Sequence, residues 1–399
     1  MQHAELIEEA RILLDMAERK STSLADAVMR LPVMHYADPL AFAAERQALF
    51  RDYPQFVGPA CMLPEPGDYY AFADTGIPIL VVRREDGSLS ACVNACSHRG
   101  APLGEGRGQA RRGRLLSCPY HGWSYDLGGK LVGVPFGSEG FPDIDRAALG
   151  LRRLDVQEKD GLIFVMPNPA LGFDIDDVLG GIGASMSGFG MDRHRLFGIK
   201  RVETAINWKL NMDTFQEFYH FEALHPETIA KMSHNNVCHY RQYGRNHSMS
   251  SPRIGIEALR HQQERDWNVR ENVSFVDYIF PNTVIFVVGD HFQTWRVYPL
   301  DLRRSVVYHS MFLPELPGTE AARAETEAFF QMINDVAVRE DYALVERMQL
   351  AVDSGLKRDV YIGRNEPGVQ NMHHQIRQWL ATAAGRQHTT GKQETTPCR

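Results

Sequence analysis

The chain lacks any apolar run near the roughly 18 residues of a membrane-crossing helix. Its first residues, MQHAELIEEARILLDMAERK, carry charge throughout where a secretory leader would be apolar. Both absences lead to the expectation of a cytoplasmic protein with no membrane partner. Positive charge is not in excess: 43 Lys and Arg against 50 Asp and Glu leave a formal charge of −7, which speaks against general nucleic-acid binding. Cysteine is scarce. Six in 399 residues (Cys61, Cys92, Cys96, Cys118, Cys238 and Cys398), without a leader, suit thiols or metal ligands better than a disulfide framework. No internal repeat is visible, which excludes an array of stacked repeats.

What is present describes an ordinary soluble globular protein, with 44% hydrophobic, 23% charged and 10% aromatic residues. At 399 residues the chain exceeds what one hydrophobic core holds, so two or more domains are expected. Residues 1 to about 32 read as an amphipathic helix with Leu6, Ile7, Ala10, Leu13, Leu14 and Ala17 on one face, and Asp38 to Phe50 as a second helix. From about Phe56 to Pro167, short strands alternate with Gly, Pro and Asp turns, the texture of an all-β domain. Beyond Pro169 come a helix around Asp213 to Leu224, strands at 275 to 289, 292 to 300 and 305 to 314, and a long helix from about Thr319 to Asp353. That order implies an α+β domain with an antiparallel sheet. The expected boundaries are 1–55 for a helical arm packed on the later domain, 56–168, 169–385, and a disordered polar tail at 386–399.

Chemistry concentrates in three stretches. In NWKLNMDTFQEFYHFEALHP, residues 207–226, Asp213, Glu217 and His220 follow helical spacing and are expected on one face. Pro226 disfavours helix at His225, and a helix ending there can swing the second imidazole back toward the first. Two histidines and a carboxylate from elsewhere make a facial triad for ferrous iron; two hydrogen-bonded core histidines are the competing reading. Cys96 and His98 form a CxH motif and, after nineteen intervening residues, Cys118 and His121 form CxxH. Two thiolates and two imidazoles can bind zinc. Each loop, however, supplies one Cys, one His and then a Gly in a β context, as a Rieske [2Fe–2S] cluster requires, with both thiolates on one iron and both imidazoles on the other.

CSHRG at 96–100, CPYHGWSYD at 118–126, NWK at 207–209 and the Glu217, His220, His225 segment together resemble the large (α) subunit of Rieske non-haem iron aromatic-ring-hydroxylating oxygenases. The resemblance spans about residues 40 to 355. It implies an all-β Rieske domain ahead of a helix-grip catalytic domain. The 19-residue gap between the two cluster motifs is long for the family, and RGQARRGR at 107–114 accounts for it as a longer loop. It further implies a third iron ligand, Asp341, because Glu340, Asp341, Glu346 and Gln349 match the family's pattern, with Asp335 and Asp353 as fallbacks. Glu217 takes the place of the carboxylate that bridges a cluster histidine of one subunit and an iron-ligand histidine of the next. Asp213 is a candidate for a supporting acid, and Asn207, Trp208 and Lys209 fix the start of the helix. The implied cofactors are the cluster, mononuclear Fe(II) and NAD(P)H acting through a reductase. The implied partners are dioxygen, a small substrate, that reductase and sometimes a ferredoxin, in a homotrimer or a ring with a small β subunit.

The expected activity is hydroxylation of an aromatic or alicyclic substrate, with oxidative N- or O-demethylation as the alternative. A Rieske electron-transfer protein without catalytic iron is a remoter one, since such a protein needs only about 110 residues. Met212, Phe215, Phe221, Val287, Phe292 and Trp295 are candidate pocket residues. Arg296 either meets a substrate carboxylate or is a charge on a surface strand.

Overall fold

The computed structural model describes residues 1–111 and 114–390. Two compact units divide them: one comprises Phe50–Val178 with Met186–Leu196, the other Met1–Leu49, Leu179–Ser185 and the chain from Phe197 onward. Among the described residues no helix is long and apolar enough to cross a membrane.

The first unit is built of short antiparallel strands. A five-stranded sheet runs in the order Arg153–Leu154, Leu89–Val93, Ile79–Arg83, Asp68–Phe72, Gly106–Gln109. A three-stranded sheet joins Val156–Lys159, Leu162–Val165 and Gln55–Pro59, and a second joins Leu116–Ser117, Ser124–Tyr125 and Leu131–Gly133. Its core gathers Leu80, Val82, Trp123, Tyr125 and Leu131 around Cys96 and Cys118. Burying both thiols there costs little, because free cysteine behaves as a small hydrophobe. In the basic stretch 107–114 the chain leaves the edge strand after Gln109, and Arg111 bridges back to Leu115.

The second unit is organised on a seven-stranded antiparallel sheet, ordered Arg195–Thr204, Arg304–Leu313, His291–Asp301, Thr283–Val288, Val273–Ile279, Asn246–Pro252, His239–Tyr243. The strand Val273–Ile279 is buried at every position, as expected for a strand covered on both faces. The stretch expected as one strand over 275–289 is instead a hairpin. Its two strands pair Phe275 with Val287 and Ile279 with Thr283, and Phe280, Pro281 and Asn282 make the turn. Pro281 has no N–H to give to a ladder, so a continuous strand through it was not available.

The N-terminal helix covers only His3–Arg19, not the expected stretch to residue 32. Lys20 caps it in the left-handed region at φ 49°, and Met29–Pro32 is a strand paired with Asp359–Ile362. The helix is held by buried Glu9, whose carboxylate accepts from His239 Nδ1 at 2.8 Å and pairs with Arg241 at 2.9 Å. The expected tail at 386–399 begins inside the helix Pro367–Thr390, and residues 391–399 lie outside the described residues.

Candidate metal centres and the cavity beside the second

The two Cys-His-Gly loops share one construction. Cys96 N–H donates to Ala101 O at 2.9 Å and Gly100 N–H returns to Cys96 O at 2.7 Å; Cys118 N–H donates to Trp123 O at 2.8 Å and Gly122 N–H returns to Cys118 O at 3.0 Å. Gly100 and Gly122 sit at φ 78° and 73°, where a side chain costs about 1–2 kcal/mol. That is the reason each motif needs its glycine. The thiols point into the core and the imidazoles outward, with His98 Nδ1 and His121 Nδ1 3.1 Å apart. His98 stacks on Trp123 at 5.0 Å. Tyr125, which sequence reasoning did not single out, places its hydroxyl 3.3 Å from Cys96 Sγ and accepts from Ser97 N–H at 3.0 Å. Burial, then the contact with Cys96, pushes its phenol up to about 12, so it stays protonated and able to donate to sulfur. Two buried thiols and two facing imidazoles on paired loops fit a Rieske cluster's donor set.

In the second unit His220, His225 and Asp341 bring one ligand atom each within 4.8 Å of one another. The expected continuous helical face is not how this is achieved. The helix Trp208–Asp213 stops after six residues, and Phe221–Leu224 is a separate turn. Glu217 accounts for the break, because its carboxylate accepts from the N–H groups of Tyr219 and of His220, the latter at 3.2 Å, and so competes with the helix for donors. The same carboxylate bonds His220 Nδ1. His225, 2% exposed, offers Nδ1 to Glu340 Oε2 at 2.5 Å, and Thr228 Oγ1 donates to that oxygen at 2.9 Å. Both rings therefore have Nδ1 tied to a carboxylate and turn Nε2 toward Asp341 Oδ1, at 3.5 Å from His220 and 3.1 Å from His225. Imidazoles that bind metals are commonly fixed in this way through the other nitrogen.

Glu340 and Asp341 reach two nitrogens of one ring although they are adjacent in sequence. On a regular helix adjacent side chains diverge by about 100°. Here the long helix is interrupted by a π-helical turn, Ala337–Tyr342, between Glu320–Val336 and Ala343–Asp353. Such bulges occur mostly at functional sites. The fallback carboxylates are engaged elsewhere, Asp335 with Arg339 and Gln331, and Asp353 with Arg303 and Gln349. Burial opposes protonation of His220, but Asp341 and Glu217 overcome it and lift the group to about 10. His225 is raised for the same reason, against burial, by Asp341 and Glu340. For Asp341 burial favours the neutral form, yet the two imidazoles hold its pKa below the usual carboxylate range. Three carboxylates around two imidazoles make a pocket that favours a cation.

Asp213 is placed apart from this group. Its carboxylate accepts from Tyr36 Oη and His373 Nε2, both at 2.8 Å, and His373 Nδ1 lies 3.0 Å from His35 Nε2. Asn207 caps the helix as expected, accepting from Lys209 N–H at 3.0 Å and donating to Tyr36 O and Leu302 O. Trp208 Nε1 and Lys209 Nζ both bond buried Glu45.

A cavity of about 360 Å³ opens on the triad. His220, His225, Asp341 and Glu217 form part of its wall, and the strands contribute Val276, Val284, Phe286, Val288, Gln293 and Trp295. Phe215, Phe218, Phe221, Phe329 and Ile333 complete a mostly apolar lining. Of the expected pocket residues Phe215, Phe221 and Trp295 line it, whereas Met212, Val287 and Phe292 are core. Val287 and Phe292 are paired across the sheet on its other face, one residue out of step with Phe286 and Gln293. Arg296 likewise faces away from the cavity; it is 1% exposed and lies 5.4 Å from the Tyr308 ring, so it is no surface charge. The cavity's guanidinium is Arg253, which the sequence gave no reason to choose.

Comparison with known proteins agrees with both centres. Residues 54–145 match the Rieske [2Fe-2S] domain and residues 191–382 the ring hydroxylating alpha subunit (catalytic domain). The chain is 34% identical over 203 residues to a glycine betaine monooxygenase oxygenase subunit from Chromohalobacter salexigens, covering 50% of this chain and 44% of that one. It is 34% identical over 209 residues to an anthranilate 1,2-dioxygenase large subunit from Burkholderia cepacia, covering 49% and 48%. The match thus spans about half the length of these curated relatives. In fold it is similar to a quaternary ammonium Rieske monooxygenase bound to L-carnitine, with TM-score 0.75, 21% identity, and 90% and 96% of the two chains covered. A Rieske domain implies a [2Fe–2S] cluster, and the catalytic domain a mononuclear iron. With one domain following the other, the chain belongs to the family of Rieske oxygenase α subunits.

Proposed function

We propose that this protein is the terminal oxygenase component of a multi-protein system and hydroxylates a small, largely apolar molecule held in the 360 Å³ cavity. The observation that carries the reading is that the candidate ligands His220, His225 and Asp341 are themselves wall of a mostly apolar cavity. Cys96, His98, Cys118 and His121 would hold the cluster, and those three residues the iron. Bound there, the two centres supply electrons and dioxygen activation.

The protein's share is placement and proton control. Glu217 and Glu340 fix the two imidazoles with Nε2 toward one point. Phe215, Phe286 and Trp295 line the cavity and exclude water from it. Glu217 also lies beside Tyr219, which is 57% exposed, so this edge is open to a second subunit's cluster histidine. We assign Glu217 the bridging role on that basis, in a homotrimer served by an NAD(P)H-dependent reductase. The cavity's size is at the small end of the roughly 300–1,000 Å³ typical of ligand sites, which suits a substrate of one or two rings.

Oxidative demethylation is the second reading. Phe215, Phe218, Phe221, Phe286 and Trp295 can surround a quaternary ammonium, and relatives named for glycine betaine and carnitine are similar to this chain. A single turnover of reduced, iron-replete protein under labelled dioxygen separates the two. Label retained in product without formaldehyde supports hydroxylation; formaldehyde in step with substrate loss moves the assignment to demethylation. Unchanged turnover in His220→Ala, with the cluster intact, would sink the oxygenase reading.

A further inference from the structure

Arg253 lies where the strand Asn246–Pro252 leaves the sheet. Its backbone is fixed on both sides: its N–H donates to Asn272 O at 2.9 Å, and it bridges to Ser233 in the segment that follows His225. The side chain lines the cavity beside Met232, Ser233 and Ser274. Among the described residues its guanidinium makes no hydrogen bond, ion pair or ring contact. This sets it apart from the other charges of the cavity, because Glu217 and Asp341 are both committed to imidazoles.

A guanidinium does not lose its proton, and half-buried beside apolar walls it is undersolvated. Its five donors form a planar fork that matches a carboxylate bidentately. Ser233 and Ser274 line the same cavity, and their hydroxyls can add neutral donors. The remaining walls offer aromatic and aliphatic surface to whatever the carboxylate is attached to.

From this we propose that the substrate is a small carboxylic acid, that Arg253 binds its carboxylate, and that the fork thereby sets which carbon of the apolar body faces the candidate iron site. The inference rests on the oxygenase reading for the identity of the cavity as a substrate site. An aromatic acid and a betaine share the recognised group, and the test separates them.

The test is calorimetric titration of the full-length protein with benzoate, cyclohexanecarboxylate and glycine betaine, each against its carboxamide, which lacks the carboxylate charge. Wild type is expected to prefer the acid of at least one pair by about tenfold or more, the range of a charge-assisted hydrogen bond. Arg253→Gln should bring acid and amide of that pair within about twofold of each other by weakening the acid much more than the amide, and Arg253→Lys should keep part of the preference. The pair that shows it names the source of the carboxylate. Equal binding of acid and amide in all three pairs, or an acid preference that survives Arg253→Gln, overturns the proposal. The wild-type comparison needs no variant, so a variant that fails to fold does not shield the idea. These readouts are binding, so they fail independently of the oxygenase reading, which labelled-dioxygen incorporation decides.

Discussion

Binding of a divalent metal at His220, His225 and Asp341 should expel protons, and the number can be worked from the structure. His220 is raised to about 10 by Asp341 and Glu217 against the cost of burial, and His225 is raised as well. In the metal-free protein at pH 7 the His220 ring is therefore imidazolium and must lose a proton to offer Nε2 to a metal, and His225 is shifted in the same direction. For His220 alone the gap between about 10 and 7 lowers the apparent affinity about a thousandfold, at a decade per pH unit. Apparent affinity should rise with pH from 6 to 9 by about a decade per unit from His220, and more steeply wherever His225 also titrates. The folded-state value of His220 lies above its unfolded value near 6.5, so its ion pairs stabilise the metal-free fold fully below 6.5. That stabilisation fades as pH rises toward 10. Metal-free protein should thus lose stability over the window in which it gains metal affinity. Titrating Co(II) into protein that keeps its cluster but lacks mononuclear iron, in two buffers of different ionisation enthalpy, counts the protons. Affinity independent of pH, with no proton release, would refute the reasoning.

Three further outcomes follow from the geometry. Glu340→Ala removes the group that holds His225 Nδ1, and should weaken mononuclear iron about 10- to 100-fold while cluster absorbance is unchanged, as read by iron competition with a chelator. Glu45→Ala leaves the Lys209 ammonium buried without its partner and should cost about 3–5 kcal/mol in urea unfolding; replacing both by apolar residues of similar volume should recover most of it. Gly100→Ala meets nothing within 4 Å, so its penalty is backbone strain alone, about 1–2 kcal/mol, whereas Gly122→Ala adds a 3.3 Å approach to Pro135 and should lose cluster sooner on warming.

The candidate cluster site was legible in the sequence because its chemistry is local: each loop carries its thiol, imidazole and glycine within five residues. The candidate iron site was legible less directly, since Asp341 lies 116 residues from His225 and was reached through a family pattern. Glu340 was seen only as part of that pattern, because nothing in a helical periodicity predicts that two adjacent residues will serve one ring. Cavity residues were half found. Aromatic character marked Phe215, Phe221 and Trp295, but which parity of a buried strand faces the cavity is not encoded when both faces are apolar, and so Val287 was chosen over Phe286. Arg253 had no signal at all. A lone arginine after a proline at a strand end looks like any surface charge until the tertiary fold encloses it.

The helix that carries Asp341 also grips the chain at the start of the histidine segment. Glu346 Oε1 accepts from Ala205 N–H at 3.0 Å and Gln349 Oε1 from Asn207 N–H at 2.9 Å. One rod thus clamps the segment at two places, and the distance between the clamps is counted in residues. Deleting a single residue between Tyr342 and Val345 would turn Asp341 by about 100° relative to Glu346 and Gln349, so no side-chain adjustment could satisfy both ends. Length variation should therefore be forbidden inside this interval and tolerated well upstream of it, at Leu316–Gly318, in the exposed segment that leads into the helix.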